Sequence, residues 1–510
     1  MQSTAQAPSR VEARLADWLG TCSEPTPVLP VSALDDAQVA AELGRIERNR
    51  ARETAREAEL ILRLAALRPD VDDPPAGSRG GRSRTWRRTA PEFAGVSEFF
   101  PDELAHALNL GRGTAAFRAR RAFVWQQGLP ATFAALRRGE LDERRAGVLA
   151  DALQHAAPEL ARAVEAGLLG EARDLSPARL RARALELLAE LDAEAIGQRH
   201  EEAKAAADVR CREAADGMAT LAADMTAEEA AACYDVIDQL AAMAKADGDP
   251  RPIGAIRAAI MGMLILRPAD CGLPGVTVNL AVTAALDGLE GASARGGEVN
   301  GFGLTAAHLR DLLTRVGALG LPAPEGGRLT FALTDADGRL LATATGAELA
   351  RLARRGCPQH PHGPTDGDPA TGRDATGDSV GDSAAGCGCP VLGMPPATDA
   401  YEPTAAQHRF TSTRDRRCRT PNCGQRAGWA DHDHVIPHAD GGATTCTNLC
   451  CLCRSHHRLK TFARGWTFRM DPDGTLHVTS PSGITRTTRP PGLRPPPQPD
   501  PDPPPDDHPD

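Results

Sequence analysis

Between Cys418 and Lys460 the chain reads CRTPNCGQRAGWADHDHVIPHADGGATTCTNLCCLCRSHHRLK. Few other stretches hold so many first-row metal ligands so close together. Four residues separate Cys418 from Cys423 and two separate Cys453 from His456, and Asp431 to His434 reads Asp-His-Asp-His. Three thiols and one imidazole make a closed tetrahedral set, which suits a structural zinc with no open position. Asp433, His434 and His457 remain. Carboxylate with imidazole is a harder and more open set, suited to a divalent ion that also takes water and a substrate oxygen.

Helical spacing bears on how these residues divide. Asn448 to about Thr461 has good helix formers and no Pro or Gly, and reads as a helix. On it Cys453 and His456 share a face, while His457 lies about 100° round from His456 and can look elsewhere. The same geometry permits Cys453 with His457 as the zinc pair, four apart, so both pairings stand. Asn448 is roughly half a turn out of phase with His457, and reads as a brace at the helix start rather than a ligand on that face.

The order Asp433-His434, Asn448, His457, framed by cysteines, resembles the HNH endonuclease motif. In this chain the first cysteine pair is spaced by four residues where two are common, and His456 stands where Cys is common. The resemblance implies a ββα-metal (His-Me finger) fold: a strand near Trp429 to Ile436, a loop, a second short strand, and a helix from about Asn448. It implies His434 as general base on water, and Asp433 with His457 as ligands of one catalytic divalent ion (Mg²⁺, Mn²⁺ or similar). Asn448 would fix the loop that carries the base. Cys418, Cys423, Cys453 and His456 would hold structural Zn²⁺, and DNA is the implied substrate.

That chemistry needs these residue types. A phosphodiester gathers negative charge in its transition state, which a divalent cation stabilises, and a neutral imidazole can take a proton from water near pH 7. The rival reading is a non-catalytic zinc-containing DNA-binding or scaffold protein, but a structural zinc knuckle has no use for Asp433-His434 on a strand.

Charge separates the module from the rest. The whole chain carries a net −10, yet residues 401–490 hold 13 Lys and Arg against 7 Asp and Glu, a net +6. Arg414, Arg416, Arg417, Arg419, Arg426 and Lys460 read as phosphate contacts. With that charge and the catalytic set, residues 401–490 are expected to nick DNA alone, while the remainder, at net −16, repels it. The 13 cysteines cluster, and the N-terminus has no apolar signal core, so metal ligation in a reducing cytoplasm is expected. The longest apolar run, Ala258 to Leu266, is too short to span a bilayer.

At 510 residues the chain exceeds one ordinary core. The expected class is α+β. Residues 1–30 read as disordered and 31–350 as a mainly helical domain with a small sheet. A Gly/Asp/Pro-rich linker covers 351–400, the HNH module 401–490, and a disordered Pro/Asp tail 491–510. Roughly 35–350 resembles the helical domain of unknown function that precedes HNH modules in many actinobacterial proteins. Within it Ala33 to Leu67 reads as one or two helices with a stripe of Leu43, Ile46, Leu60, Leu62 and Leu64. Glu103 to Phe123 reads as a helix-turn-helix, Thr226 with Glu229 as a capping box, and 191–267 as helices with one break. A strand is expected over Gly275 to Val282, and hairpins around Asp335-Gly338 and Asp471-Gly474. Five Arg around Trp86 offer a nucleic-acid contact, and Cys357, His360, Cys387 and Cys389 a second zinc site.

Overall fold

Prolines, capping side chains and left-handed residues set the helix ends in the N-terminal part. The computed structural model describes residues 30–75, 93–192, 207–266, 282–300, 302–315, 330–335, 338–357, 360–361 and 391–492, with a few isolated positions between them. The chain is α+β, with a mainly helical N-terminal part carrying small antiparallel sheets, and a C-terminal module of short strands and helices.

Helix α1 (Asp36–Ala66) is a single helix of 31 residues. Its buried stripe is Ala51, Ala55, Ala58, Ile61 and Ala65, whereas Leu43 and Leu60, expected on that stripe, are exposed. Spacings of three and four keep the small residues on one face. Five helices follow: α2 (Phe100–Leu108), α3 (Arg112–Gln127), α4 (Pro130–Arg138), α5 (Glu143–Leu153) and α6 (Pro158–Leu168), then α7 (Pro177–Leu191). Proline opens α2, α4, α6 and α7, where its missing N–H costs nothing. Asp142 and Ser176 cap α5 and α7 by accepting from Arg145 and Arg179 N–H. Asn109, at φ 56°, closes α2 shortly before α3, so the expected pair of helices joined by a turn is present.

The reading of 191–267 as helices with one break misses a strand pair. Strands β1 (Val209–Glu213) and β2 (Ala219–Ala223) form an antiparallel hairpin. Asp216 and Gly217 both take positive φ, 59° and 70°, the left-handed pair that tight hairpins need. The Asp-Gly turn therefore overrides the helical bias of the Ala-rich flanks. Helix α8 (Ala227–Ala246) starts at the expected Thr226–Glu229 capping box and packs on α9 (Ile253–Leu266) through Ala241, Ile256 and Ile260. Strands β3 (Val282–Ala284), β4 (Gly297–Val299) and β5 (Phe302–Leu304) form a meander before α10 (Ala306–Arg315). Of the strand expected over Gly275 to Val282, all but Val282 lies outside the described residues. The expected hairpin at Asp335-Gly338 is β6 (Thr330–Thr334) with β7 (Leu340–Thr345), followed by α11 (Gly346–Arg355). Among the described residues no helix is long and apolar enough to cross a membrane.

By its contacts the chain forms two units, Met1–Arg56 with Val124–Leu319, and Glu57–Phe123 with Gly320–Asp510. Residues 57–123 thus belong with the C-terminal module, a grouping that boundaries at 350 and 401 do not draw. In the second unit α12 (Ala405–Asp415) starts from a Thr404–Gln407 capping box. Strands β8 (Ala430–His434) and β9 (Leu449–Cys453) pair antiparallel, with Ala430 opposite Cys453 and His434 opposite Leu449. Helix α13 (Arg454–Phe462) follows at once, then a three-stranded meander of β10 (Thr467–Met470), β11 (Leu476–Thr479) and β12 (Thr485–Thr488). The helix expected from Asn448 therefore begins six residues later, at Arg454. Leu449 to Leu452 are fully buried, and this buried LCCL run pairs as a strand with Cys453 at its half-buried end, despite its helix-compatible composition.

An ionic knot holds this module together. Asp415 accepts from Arg414 Nε at 2.7 Å, Arg419 Nη1 at 2.8 Å and the Cys451 amide at 2.8 Å. Arg414 also donates to the Cys446 and Leu449 carbonyls, and Arg419 to that of Thr488. Helix α12, strand β9 and strand β12 are thereby tied to one buried carboxylate. Burial opposes the charge on Asp415, but the two guanidinium groups and the amide outweigh it and hold the carboxyl below its usual range. Replacing Asp415 with Ala leaves two buried cations uncompensated. We expect a loss of about 3–5 kcal/mol in chemical denaturation of this unit. Because the folded pKa is lowered, the stabilisation is complete above the unfolded aspartate value near ~3.9 and disappears as pH falls through the folded value. The acid limb of the stability curve should shrink in the variant.

Candidate functional site

Four ligand atoms converge where β9 gives way to α13. Cys453 ends the strand and N-caps the helix, so the next turn returns His456 to it. Cys418 and Cys423 come from the loop after α12, which turns at Asn422 with φ 60°. The ligand atoms of Cys418, Cys423, Cys453 and His456 all lie within 4.8 Å of one another. His456 Nδ1 is 3.4 Å from Cys418 Sγ and 3.2 Å from Cys453 Sγ, and Cys423 Sγ is 3.9 Å from Cys453 Sγ. Bonds of about 2.3 Å to sulfur and 2.0–2.1 Å to nitrogen give tetrahedral edges of roughly 3.5–3.8 Å. The cluster can therefore hold a metal such as zinc. The second helical pairing, Cys453 with His457, is not the one formed. Cys450 points into the apolar core with Val435, Leu452, Leu476 and Val478. Its neighbour Cys451 faces His432, as strand alternation requires.

The second cluster forms along β8. His457 Nδ1 meets Asp431 Oδ2 at 2.7 Å, which turns Nε2 toward Asp433, 3.5 Å away. Burial opposes the charge on Asp431, but hydrogen bonds from His457 and Arg454 hold its carboxyl below the usual range. Asp433 Oδ2 is buried and accepts no aligned hydrogen bond, although the Lys460 ammonium lies 3.0 Å from it. Lys460 also donates to the His434 carbonyl at 2.6 Å. His434 itself is buried. Its Nε2 lies 2.8 Å from Thr444 Oγ1, and the Tyr401 ring stacks on it at 5.5 Å between centroids. Burial pushes its pKa below the usual histidine value, with Asp433 opposing.

Asn448 sits just before β9 rather than at a helix start. Its Oδ1 accepts from Ile436 N at 2.8 Å, and its Nδ2 donates to the Ile436 and Ala443 carbonyls, both at 3.0 Å. It braces the loop that follows His434. The Thr444 carbonyl accepts from Thr398 N–H and Gln407 Nε2, so the segment before α12 and the first turn of α12 are both clamped to the same loop.

Several expected phosphate contacts are corrected. Arg414 and Arg419 are buried in the knot around Asp415, where phosphate cannot reach them. Lys460 lies inside the site against Asp433 rather than on an open surface. Arg416, Arg417 and Arg426 are half-buried. Arg454, not singled out in the sequence, is 79% exposed and lies 3.3 Å from Asp431, beside His457. Thr444 is equally unmarked, and Asp431, though part of the Asp-His-Asp-His run, has no role assigned there. Strand alternation, which places it on the same face as Asp433, is the signal that could have found it. Cys387, Cys389 and the Trp86 loop, with the side chains of Cys357 and His360, lie outside the described residues.

The family described as a domain of unknown function (DUF222) matches residues 40–316, more than half of the chain. The uncharacterized protein Rv3776 of Mycobacterium tuberculosis H37Rv is 47% identical over 90 residues, 18% of this chain and 17% of that protein. The uncharacterized protein Rv2100 of the same strain is 46% identical over 90 residues, 18% of this chain and 16% of that protein. The chain thus spans about one sixth of the length of the curated relatives it matches. No solved structure matches it.

Proposed function

We propose that this chain, which belongs to the DUF222 family, carries in its C-terminal module a metal-dependent HNH endonuclease that hydrolyses phosphodiester bonds in DNA. The observation that carries this reading is the meeting of Asp433 with His457 at 3.5 Å, next in sequence to a buried His434 whose loop Asn448 braces. Asp433 and His457 would hold one divalent ion, and the buried Asp433 Oδ2, which already draws the Lys460 ammonium to 3.0 Å, suits a cation. When bound, that ion would stabilise charge on the phosphate and the leaving oxygen. Lys460 would have to yield Asp433 to it. Asp431 sets the tautomer of His457 by taking its Nδ1 proton as a hydrogen bond, leaving Nε2 as the ligand atom.

His434 takes the proton from the attacking water. Adjacent residues on a strand point apart, and in-line displacement asks for the base and the leaving oxygen on opposite sides of phosphorus. The Cys418–Cys423–Cys453–His456 cluster would hold zinc with all four positions filled, leaving none vacant for chemistry. DNA contact is electrostatic, from a module of net +6 in which Arg454 is an exposed cation beside the site.

The test is supercoiled-plasmid nicking by the full chain with Mg²⁺, Mn²⁺, Ni²⁺ or Zn²⁺ against a chelator control. Two neighbouring variants divide the roles. His457→Ala should keep its zinc and lose nicking, while His456→Ala should lose zinc and melt at lower temperature. Absence of metal-dependent nicking under every ion would leave a zinc-containing binding module and end the nuclease reading.

A further inference from the structure

We propose that Asp102, on the first turn of helix α2, is an outer ligand of the zinc centre, so that zinc loading and seating of α2 are one event. The inference rests on the zinc reading above and not on catalysis. His456 turns Nδ1 toward Cys418 and Cys453, which leaves Nε2 to carry the ring proton. Nε2 lies 3.3 Å from the Asp102 carboxylate. Asp102 is 5% exposed, and its Oδ1 has no aligned hydrogen-bond partner. A metal-bound imidazole needs an acceptor for its second N–H, and a buried carboxylate oxygen needs a donor. Asp102 gives the imidazole N–H its acceptor. Arg112, on the first turn of α3, shares the same carboxylate, its Nε donating to Oδ2 at 3.0 Å and lying 3.0 Å from Oδ1. The helix N-terminus under Asp102 also favours its charge.

The surrounding contacts fit a seated segment. His106 Nε2 lies 2.9 Å from the Ile484 carbonyl, and Arg486 donates to the carbonyls of His106 and Ala107. Arg458, two residues after His456, pairs with Glu98 at 2.7 Å. These contacts flank the zinc cluster and bring together parts of the chain more than 300 residues apart in sequence. Asp102 acts on the metal through His456, as a positioning residue. It fixes which ring nitrogen is free and raises that nitrogen's basicity.

The experiment uses the full chain and a chromophoric chelator competing for zinc. Asp102→Asn should weaken zinc binding about 10–100-fold. A merely structural role is separated by the same substitution in a His456→Cys background. A thiolate ligand has no ring N–H to offer, so there Asp102→Asn should change zinc affinity less than about 3-fold. Equal losses in both backgrounds, or wild-type affinity in Asp102→Asn, would overturn the proposal. Should Asp102→Asn not fold, hydrogen exchange on the wild-type chain decides. Stripping zinc should deprotect the amides of 100–108 together with those of 453–460. Protection of 100–108 that persists after stripping would refute the coupling. A wild-type chain that takes up no zinc at all would instead remove the zinc reading itself.

Discussion

Replacing His434 with Ala is expected to slow phosphodiester cleavage by about 10²–10⁴-fold while leaving zinc content and melting behaviour near wild type. The Nε2 atom of His434 faces Thr444 Oγ1 at 2.8 Å. If that nitrogen donates to the hydroxyl, Nδ1 keeps its lone pair for the proton of water. Burial lowers the pKa, so the neutral base form prevails at pH 7. No zinc ligand contact passes through His434, and its carbonyl bond to Lys460 survives truncation of the side chain. Plasmid nicking, metal analysis and a thermal melt on one preparation check the expectation. A folded, zinc-loaded variant that cuts as well as wild type would remove His434 from the mechanism. His434→Gln keeps most of the buried volume and should be equally slow, which separates lost base from lost packing.

What was legible in the sequence was set by local rules. The zinc set follows from ligand chemistry and spacing, and helical periodicity already allowed Cys453 and His456 to share a face. The choice of His456 over His457 was not local. It depends on Asp431, which holds His457 Nδ1 across the β8–α13 contact. The start of α13 was misread because Cys and Leu fit a helix or a buried strand equally, and only pairing with Ala430 to His434 decides. The Arg cluster was misread for a related reason. Charge counted along a sequence cannot distinguish a solvated guanidinium from Arg414 and Arg419, which are desolvated around Asp415. The autonomy of residues 401–490 also needs revision as a working unit. Residues 57–123 fold with them, and Asp102 reaches the zinc ligand. A fragment meant to be active should retain that segment. Its place could not be read from the sequence, because contacts across several hundred residues leave no periodic trace.

Removal of the zinc is expected to have the largest effect of all, abolishing cleavage even at saturating Mg²⁺ or Mn²⁺. Cys453 is at once a member of the metal-capable cluster, the last residue of β9 and the N-cap of α13. His457 and Lys460, which face Asp433, ride on that helix within two turns of the cluster. α13 has nine residues, too few to be stable alone, so it depends on its anchor. Structural zinc in small modules contributes on the order of 10–16 kcal/mol of apparent binding free energy, most of which is folding free energy. Here the ionic knot at Asp415 and the meander β10–β12 remain after stripping, so the loss should be confined to α13, the Cys418–Cys423 loop and the α2 segment seated on them rather than a collapse of the whole unit. Cys453→Ser should reproduce it, since a neutral hydroxyl is a poor zinc ligand beside thiolate. The measurements are nicking with excess Mg²⁺ after chelation and dialysis, the melting temperature of the same sample, and recovery of both on zinc addition. Cleavage and melting that are unchanged in a protein shown to be zinc-free would mean that the catalytic set stands without the cluster, and that α13 is held by its packing on β8 and β9 alone.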